Sequence, residues 1–169
     1  MKKQGIGTWI CVAALVFAIV AFVLYGMAVS AGTGLTIASG SDLFYDMTRP
    51  EDTAMAPAVV SCSIIAIICL VGAVVLSQLQ LEGVVGKVVN VVVTVLRIAA
   101  PALLVIALLY FAYGSFTGLG WTFFSNAELE IYPAAKAVGT QVITGAVFYA
   151  LAFITATVAA FFRIPKDEK

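Results

Sequence analysis

Four stretches of this chain, residues 6–29, 54–79, 98–117 and 137–162, contain no charged side chain. At about 1.5 Å of rise per residue they reach about 30–39 Å as helices, enough to cross a hydrocarbon layer of about 30 Å. Lipid offers the backbone no hydrogen bonds, so a spanning segment must pair its own N–H and C=O groups as a helix or join a closed barrel. These runs are too long for barrel strands. The expected fold is an all-α integral membrane protein, a four-pass transmembrane helix bundle forming a single domain over residues 1–169. With 63% hydrophobic and 11% charged residues, no histidine, and nine Lys+Arg against nine Asp+Glu, the composition excludes a disordered chain, a disulfide-laced secreted fold and a soluble enzyme. It also predicts no nucleic-acid partner.

The basic residues set a direction. Lys2, Lys3, Lys87, Arg97, Arg163, Lys166 and Lys169 fall on one side of the four runs, Arg49 and Lys136 on the other. The positive-inside rule then predicts both termini in the cytoplasm, in a cytoplasmic (inner) or plasma membrane. Lys2 and Lys3 before an apolar run, with Val29, Ser30 and Ala31 after it, also have the outline of a cleavable signal. The apolar core of about 20 residues exceeds the usual ~7–15, so an uncleaved first span is expected.

The connections divide by chemistry. The first outer loop, residues 30–53, is rich in Gly, Ser and Thr and carries Asp42, Asp46, Glu51 and Asp52. These lack the alternating spacing and turn glycine of a calcium loop, so a solvated acidic loop is expected, with a short helix near residues 43–45. The second outer loop, residues 114–136, gathers Phe116, Trp121, Phe123, Phe124 and Tyr132. Such rings anchor at the headgroup level or serve as a partner-docking surface. Before the third run, Lys87, Asn90, Thr94 and Arg97 recur at helical spacing among valines. That pattern predicts an amphipathic helix lying in the inner interface, with Lys87 and Arg97 as candidate headgroup contacts. The alternative is one long helix over residues 84–114, bent at Pro101.

Reactive chemistry is sparse. Without histidine or an acidic residue well inside a span, the usual groups for proton-coupled transport or an intramembrane metal are missing. Ser61 and Ser63 have no basic partner that would make a nucleophile, and Gly32-Thr33-Gly34 and Gly118-Leu119-Gly120 lack the context of a phosphate loop. No catalytic residue, metal ligand or cofactor is predicted. Cys11, Cys62 and Cys69 fall in spans and are expected as free, buried thiols.

Packing residues are abundant. Ala14 and Ala18, then Cys69, Ala73 and Ser77, then Ala152, Ala156 and Ala160 form small-residue ridges that let helices approach closely. Gln141 and Thr144 are a candidate polar path through the fourth span. The four-pass plan with a larger first outer loop resembles that of claudins and tetraspanins. The resemblance ends there: neither outer loop has the cysteines those groups carry, and the first span lacks the glutamate of small multidrug exporters. No functional residue is carried over from these groups. The expectation is a non-catalytic accessory or assembly subunit of a larger membrane transport complex, in contact with the lipid bilayer and with a protein partner or further copies of itself. The alternative is an oligomeric permease or channel for a small neutral solute, lined by Gln141, Thr144, Tyr149 and Thr155.

Overall fold

A computed structural model describes residues 5–30, 55–79, 83–125 and 132–162. They form four helices and no strand: α1 (Ile6–Ser30), α2 (Met55–Gln78), α3 (Gly83–Ser125) and α4 (Tyr132–Phe161). All four are long and apolar enough to cross a membrane. The acidic first loop, with Asp42, Asp46, Glu51 and Asp52, lies outside the described residues, as do Lys2, Lys3, Arg49, Arg163, Lys166 and Lys169.

Local chemistry accounts for several helix ends. The Thr8 N–H donates to the Gly5 carbonyl at 3.0 Å as α1 begins. Pro57 and Pro133 occupy the first turns of α2 and α4, where a missing N–H removes no helical bond. Gly83, with φ of 71°, opens α3 in the left-handed region that favours glycine.

The α3 helix departs from expectation. Residues 83–97 do not form a separate interfacial helix but continue without a break into the third span, with Pro101 inside the helix. The expected loop over residues 114–136 is also mostly helical: α3 continues to Ser125 and α4 already begins at Tyr132. Valines are mediocre helix formers in water, and aromatics and glycines read as loop by propensity, but in a low-dielectric setting an unpaired peptide group costs more than a poor propensity.

Helix α1 packs most extensively on α4 and α3 on α2, the α3–α4 seam is intermediate, and the α1–α2 seam is thinner. The helices therefore close a ring in the order α1–α4–α3–α2, leaving α1/α3 and α2/α4 as diagonals. The buried positions repeat at alternating spacings of three and four. On α1 they are Cys11, Ala14, Ala18, Ala21, Tyr25 and Ala28, and on α4 Val142, Gly145, Tyr149, Ala152, Ala156 and Ala159. Such a 3.5-residue repeat keeps one stripe facing its neighbours along a left-handed supercoil. Of the ridges seen in the sequence, Ala14, Ala18, Cys69, Ala73, Ala152 and Ala156 face inward. The remaining inward position on α4 is Ala159 rather than Ala160, because the stripe follows 3.5 residues instead of a strict four.

Small side chains bring the backbones close, so association rests on van der Waals contact. Overfilling the seam should be costly. Ala18→Leu and Ala156→Leu are each expected to lower stability in detergent by about 1–3 kcal/mol. Val16→Leu, on the exposed face of α1, should stay within about 0.5 kcal/mol of wild type. Denaturant titration followed by circular dichroism tests the contrast, and equal effects at the three positions would contradict this packing.

Candidate functional site

The side chains best placed to do more than fill space lie in two polar clusters, one at the centre of the bundle and one at the end where α1 begins and α4 finishes.

At the centre, the Ser63 and Tyr149 hydroxyls are 2.7 Å apart, joining α2 to α4 across one diagonal. Tyr149 is fully buried and Ser63 nearly so. A hydroxyl taken from water without a partner costs several kcal/mol, so each of these makes the other's burial tolerable. Around the pair stand aromatic rings. Tyr149 meets Phe111 of α3 at 5.4 Å between centroids, and Phe111 meets Tyr25 of α1 edge-on at 6.0 Å, across the other diagonal. Tyr25 in turn stacks on Phe22 at 6.3 Å. Gly145 makes room for this cluster: a Cβ there would lie 3.1 Å from the Phe111 ring and 3.5 Å from Leu24.

At the end of the bundle, Arg97 of α3 is 8% exposed. Its Nη1 donates to the Phe162 carbonyl at 3.0 Å and its Nη2 to the Gly7 carbonyl at 3.2 Å. The Phe162 carbonyl belongs to the closing turn of α4, where carbonyls lack helical partners and the helix dipole presents its negative end. A guanidinium suits that position, and its fork reaches two acceptors at once. Gly7 is required by the fit, since a Cβ would fall 2.9 Å from Nη2 and 2.8 Å from the Phe162 Cβ. One cation thereby draws the start of α1 and the end of α4 to the same end of the bundle. The described residues include no Asp or Glu, so within them the charge is met by carbonyl dipoles alone.

Six other Ser and Thr hydroxyls among the described residues are turned back on their own backbone. Ser61 donates to the Pro57 carbonyl at 2.7 Å, Thr157 to Phe153 at 2.8 Å, and Thr155 and Ser115 to the carbonyls one turn earlier. This habit hides a donor in lipid and leaves the hydroxyl poorly placed for chemistry. Cys11, Cys62 and Cys69 are free thiols.

Against the expected site residues, the structure draws several distinctions. Phe116, Trp121, Phe123 and Phe124 lie on the last turns of α3, and Tyr132 opens α4, so these rings are carried on helical extensions rather than on a loop. Gln141 and Thr144 are half-buried on α4, whereas Ser63 and Tyr149 form a buried polar pair deeper in the bundle. Lys87 is exposed near the start of α3. Arg97, grouped with it at the headgroups by helical spacing, is turned into the bundle instead. The missed signal lies in the register of α3: Arg97 is in phase with Val93, Ala100, Leu104, Ala107 and Phe111, all buried. No protein-family model, curated protein or solved structure matches the chain.

Both clusters yield measurable expectations. Arg97→Met should lower stability by about 1.5–3 kcal/mol, the range for hydrogen bonds to a charged group. Arg97→Lys should recover only part of that, because an ammonium lacks the planar fork. Thermal unfolding in detergent tests this, and an Arg97→Met protein as stable as wild type would refute the clamp. A double-mutant cycle of Ser63→Ala and Tyr149→Phe should give a coupling of about 0.6–1.7 kcal/mol, while zero coupling would mean that the two hydroxyls do not pair.

Proposed function

We propose that this four-pass membrane protein is a non-catalytic accessory or assembly subunit of a larger membrane complex involved in transport, residing in a cytoplasmic or plasma membrane with both termini inside. The observation that carries the reading is the filled centre of the bundle. Tyr149, Phe111 and Tyr25, from three different helices, are buried against one another, and Ser63 of the fourth helix holds the Tyr149 hydroxyl. A chain that moved solute along its own axis would want polar groups facing a water-filled route there.

Two further features support a scaffold role. Small-residue seams favour close, rigid helix contact, and the aromatic positions 116, 121, 123 and 124 fall on α3 and 132 on α4. Aromatic anchors on helices suit recognition better than the same residues on a loop, because less backbone entropy is lost on docking. The permease alternative would draw on Gln141, Thr144, Tyr149 and Thr155. It is weakened by the engagement of Tyr149 with Ser63 and of Thr155 with its own helix.

Purification from native membranes in mild detergent, followed by native mass measurement, tests the reading. A partner at fixed stoichiometry is expected, lost in a Trp121→Ala/Phe124→Ala variant that still inserts normally. A monodisperse lone monomer in several detergents would refute it. Proteoliposomes holding only this chain should show no flux of small neutral solutes above empty vesicles, and solute-selective flux would establish the permease instead.

A further inference from the structure

Helix α4 covers only part of the face that α3 turns towards it. The Arg97 guanidinium meets the Phe162 carbonyl at 3.0 Å as α4 closes, one residue past its last helical position, Phe161. Residues 83–96, about 20 Å of the same unbroken α3 helix, precede that level. Along this stretch α2 covers one face. Val93 is buried, Val89 and Leu96 pack on the core, and a Cβ at Gly72 of α2 would lie 3.2 Å from Leu96. Thr94, Asn90 and Lys87 precede Arg97 by three, seven and ten residues, so these four share a different face. At about 100° per residue it lies well over a quarter-turn round the helix from Val89 and Leu96. It is therefore the α4 side of α3. Before Arg97 no described residue covers it: Lys87, Asn90 and Thr94 are all exposed.

Charge and reach select what lies on this track. Of the nine acidic residues in the chain, only Glu82, Asp167 and Glu168 border helix ends at this end of the bundle. Glu82 is five residues from Lys87, a spacing that puts the two on different sides of a helix. Asp167 and Glu168 follow Phe162 by five and six residues. At about 3.3 Å per extended residue they come about 17–20 Å from it, and Lys87 stands about 15 Å from Arg97 along α3. Pro165 disfavours helix at the residue before it, which suits an extended path. The segment preceding α1 carries Lys2 and Lys3, of the same sign as Lys87, and so is repelled.

We infer that the uncovered face at Lys87, Asn90 and Thr94 is the docking site for the chain's own residues 163–168. Asp167 or Glu168 pairs with the Lys87 ammonium, and the Asn90 amide, both donor and acceptor, bonds to peptide groups of the docked segment. An exposed ion pair is weak by itself. The Arg97 clamp compensates by holding Phe162 at the head of the track, so that the segment binds at the high effective concentration of a short tether. Docking extends the α3–α4 seam past the last turn of α4. This inference goes beyond the subunit role proposed above and does not depend on it.

Photo-cross-linking of the full chain in phosphatidylcholine nanodiscs tests it, with p-benzoylphenylalanine in place of Asn90, an exposed position. Irradiation should join position 90 to residues 163–169 of the same chain, located by peptide mass spectrometry, while the same replacement at Val88, exposed on another face, should not. Lys87→Glu should lower the yield from position 90 by about two- to fivefold, the range open to an exposed ion pair. Adding Asp167→Lys and Glu168→Lys to that variant should restore it, since the pair is then reversed in sign. Cross-links from position 90 to lipid, to residues 1–4 or to a second copy of the chain, in place of the carboxyl-terminal segment, would overturn the docking, as would no cross-link at all. A yield unchanged by Lys87→Glu, or not restored by the reversed pair, would overturn the role of Lys87.

Discussion

Lipid provides no hydrogen-bonding partner, and this single deficiency governs the arrangement of polar groups throughout the bundle. Peptide groups answer it by forming helices of 24 to 43 residues. Lone hydroxyls answer it by bonding to a carbonyl one turn back, as Ser61, Ser115, Thr155 and Thr157 do. Ser63 and Tyr149 answer it with each other, and Arg97 with two carbonyls. No buried side-chain nitrogen or oxygen among the described residues is left without a hydrogen bond.

Apolar packing alone would fix this bundle poorly, because alanine stripes on four helices present similar surfaces and tolerate sliding. The two polar clusters remove that freedom at different depths. Ser63–Tyr149 sets the height of α2 against α4, and the Phe111–Tyr25 contact sets α3 against α1, so both diagonals are fixed where they cross. Arg97 then fixes the start of α1 and the end of α4 against α3, and the absence of a side chain at Gly7 makes that approach possible. A slip by one residue at either level would bury a polar group without its partner, which costs more than the lost packing. Both polar devices thus position helices.

Much of the fold was legible in the residues. Uncharged runs of 20 or more residues demanded four spanning helices, and the small residues at Ala14, Ala18, Ala152 and Ala156 marked the faces that meet. The limits of α3 were not legible. Valine, glycine and aromatic residues on either side of the third run read as interface and loop by propensity, and a continuous helix of 43 residues prevailed because backbone pairing outweighs propensity. The candidate site was legible only as an inventory. Gln141 and Thr144 stood out because they are adjacent on one helix, whereas Ser63 and Tyr149 are 86 residues apart and nothing local to either names the other.

The amino-acid sequence by itself determined the solvent and the number of spanning helices, because these follow from hydrophobicity and rise per residue along a single segment. Tertiary structure alone decided which polar groups meet. Arg97 shares a helical spacing with Lys87, yet the register of α3 against α1 and α4 turns it onto the Gly7 and Phe162 carbonyls. Periodicity within one helix says which residues share a face, and only the neighbouring helices say whether that face looks at lipid or at protein.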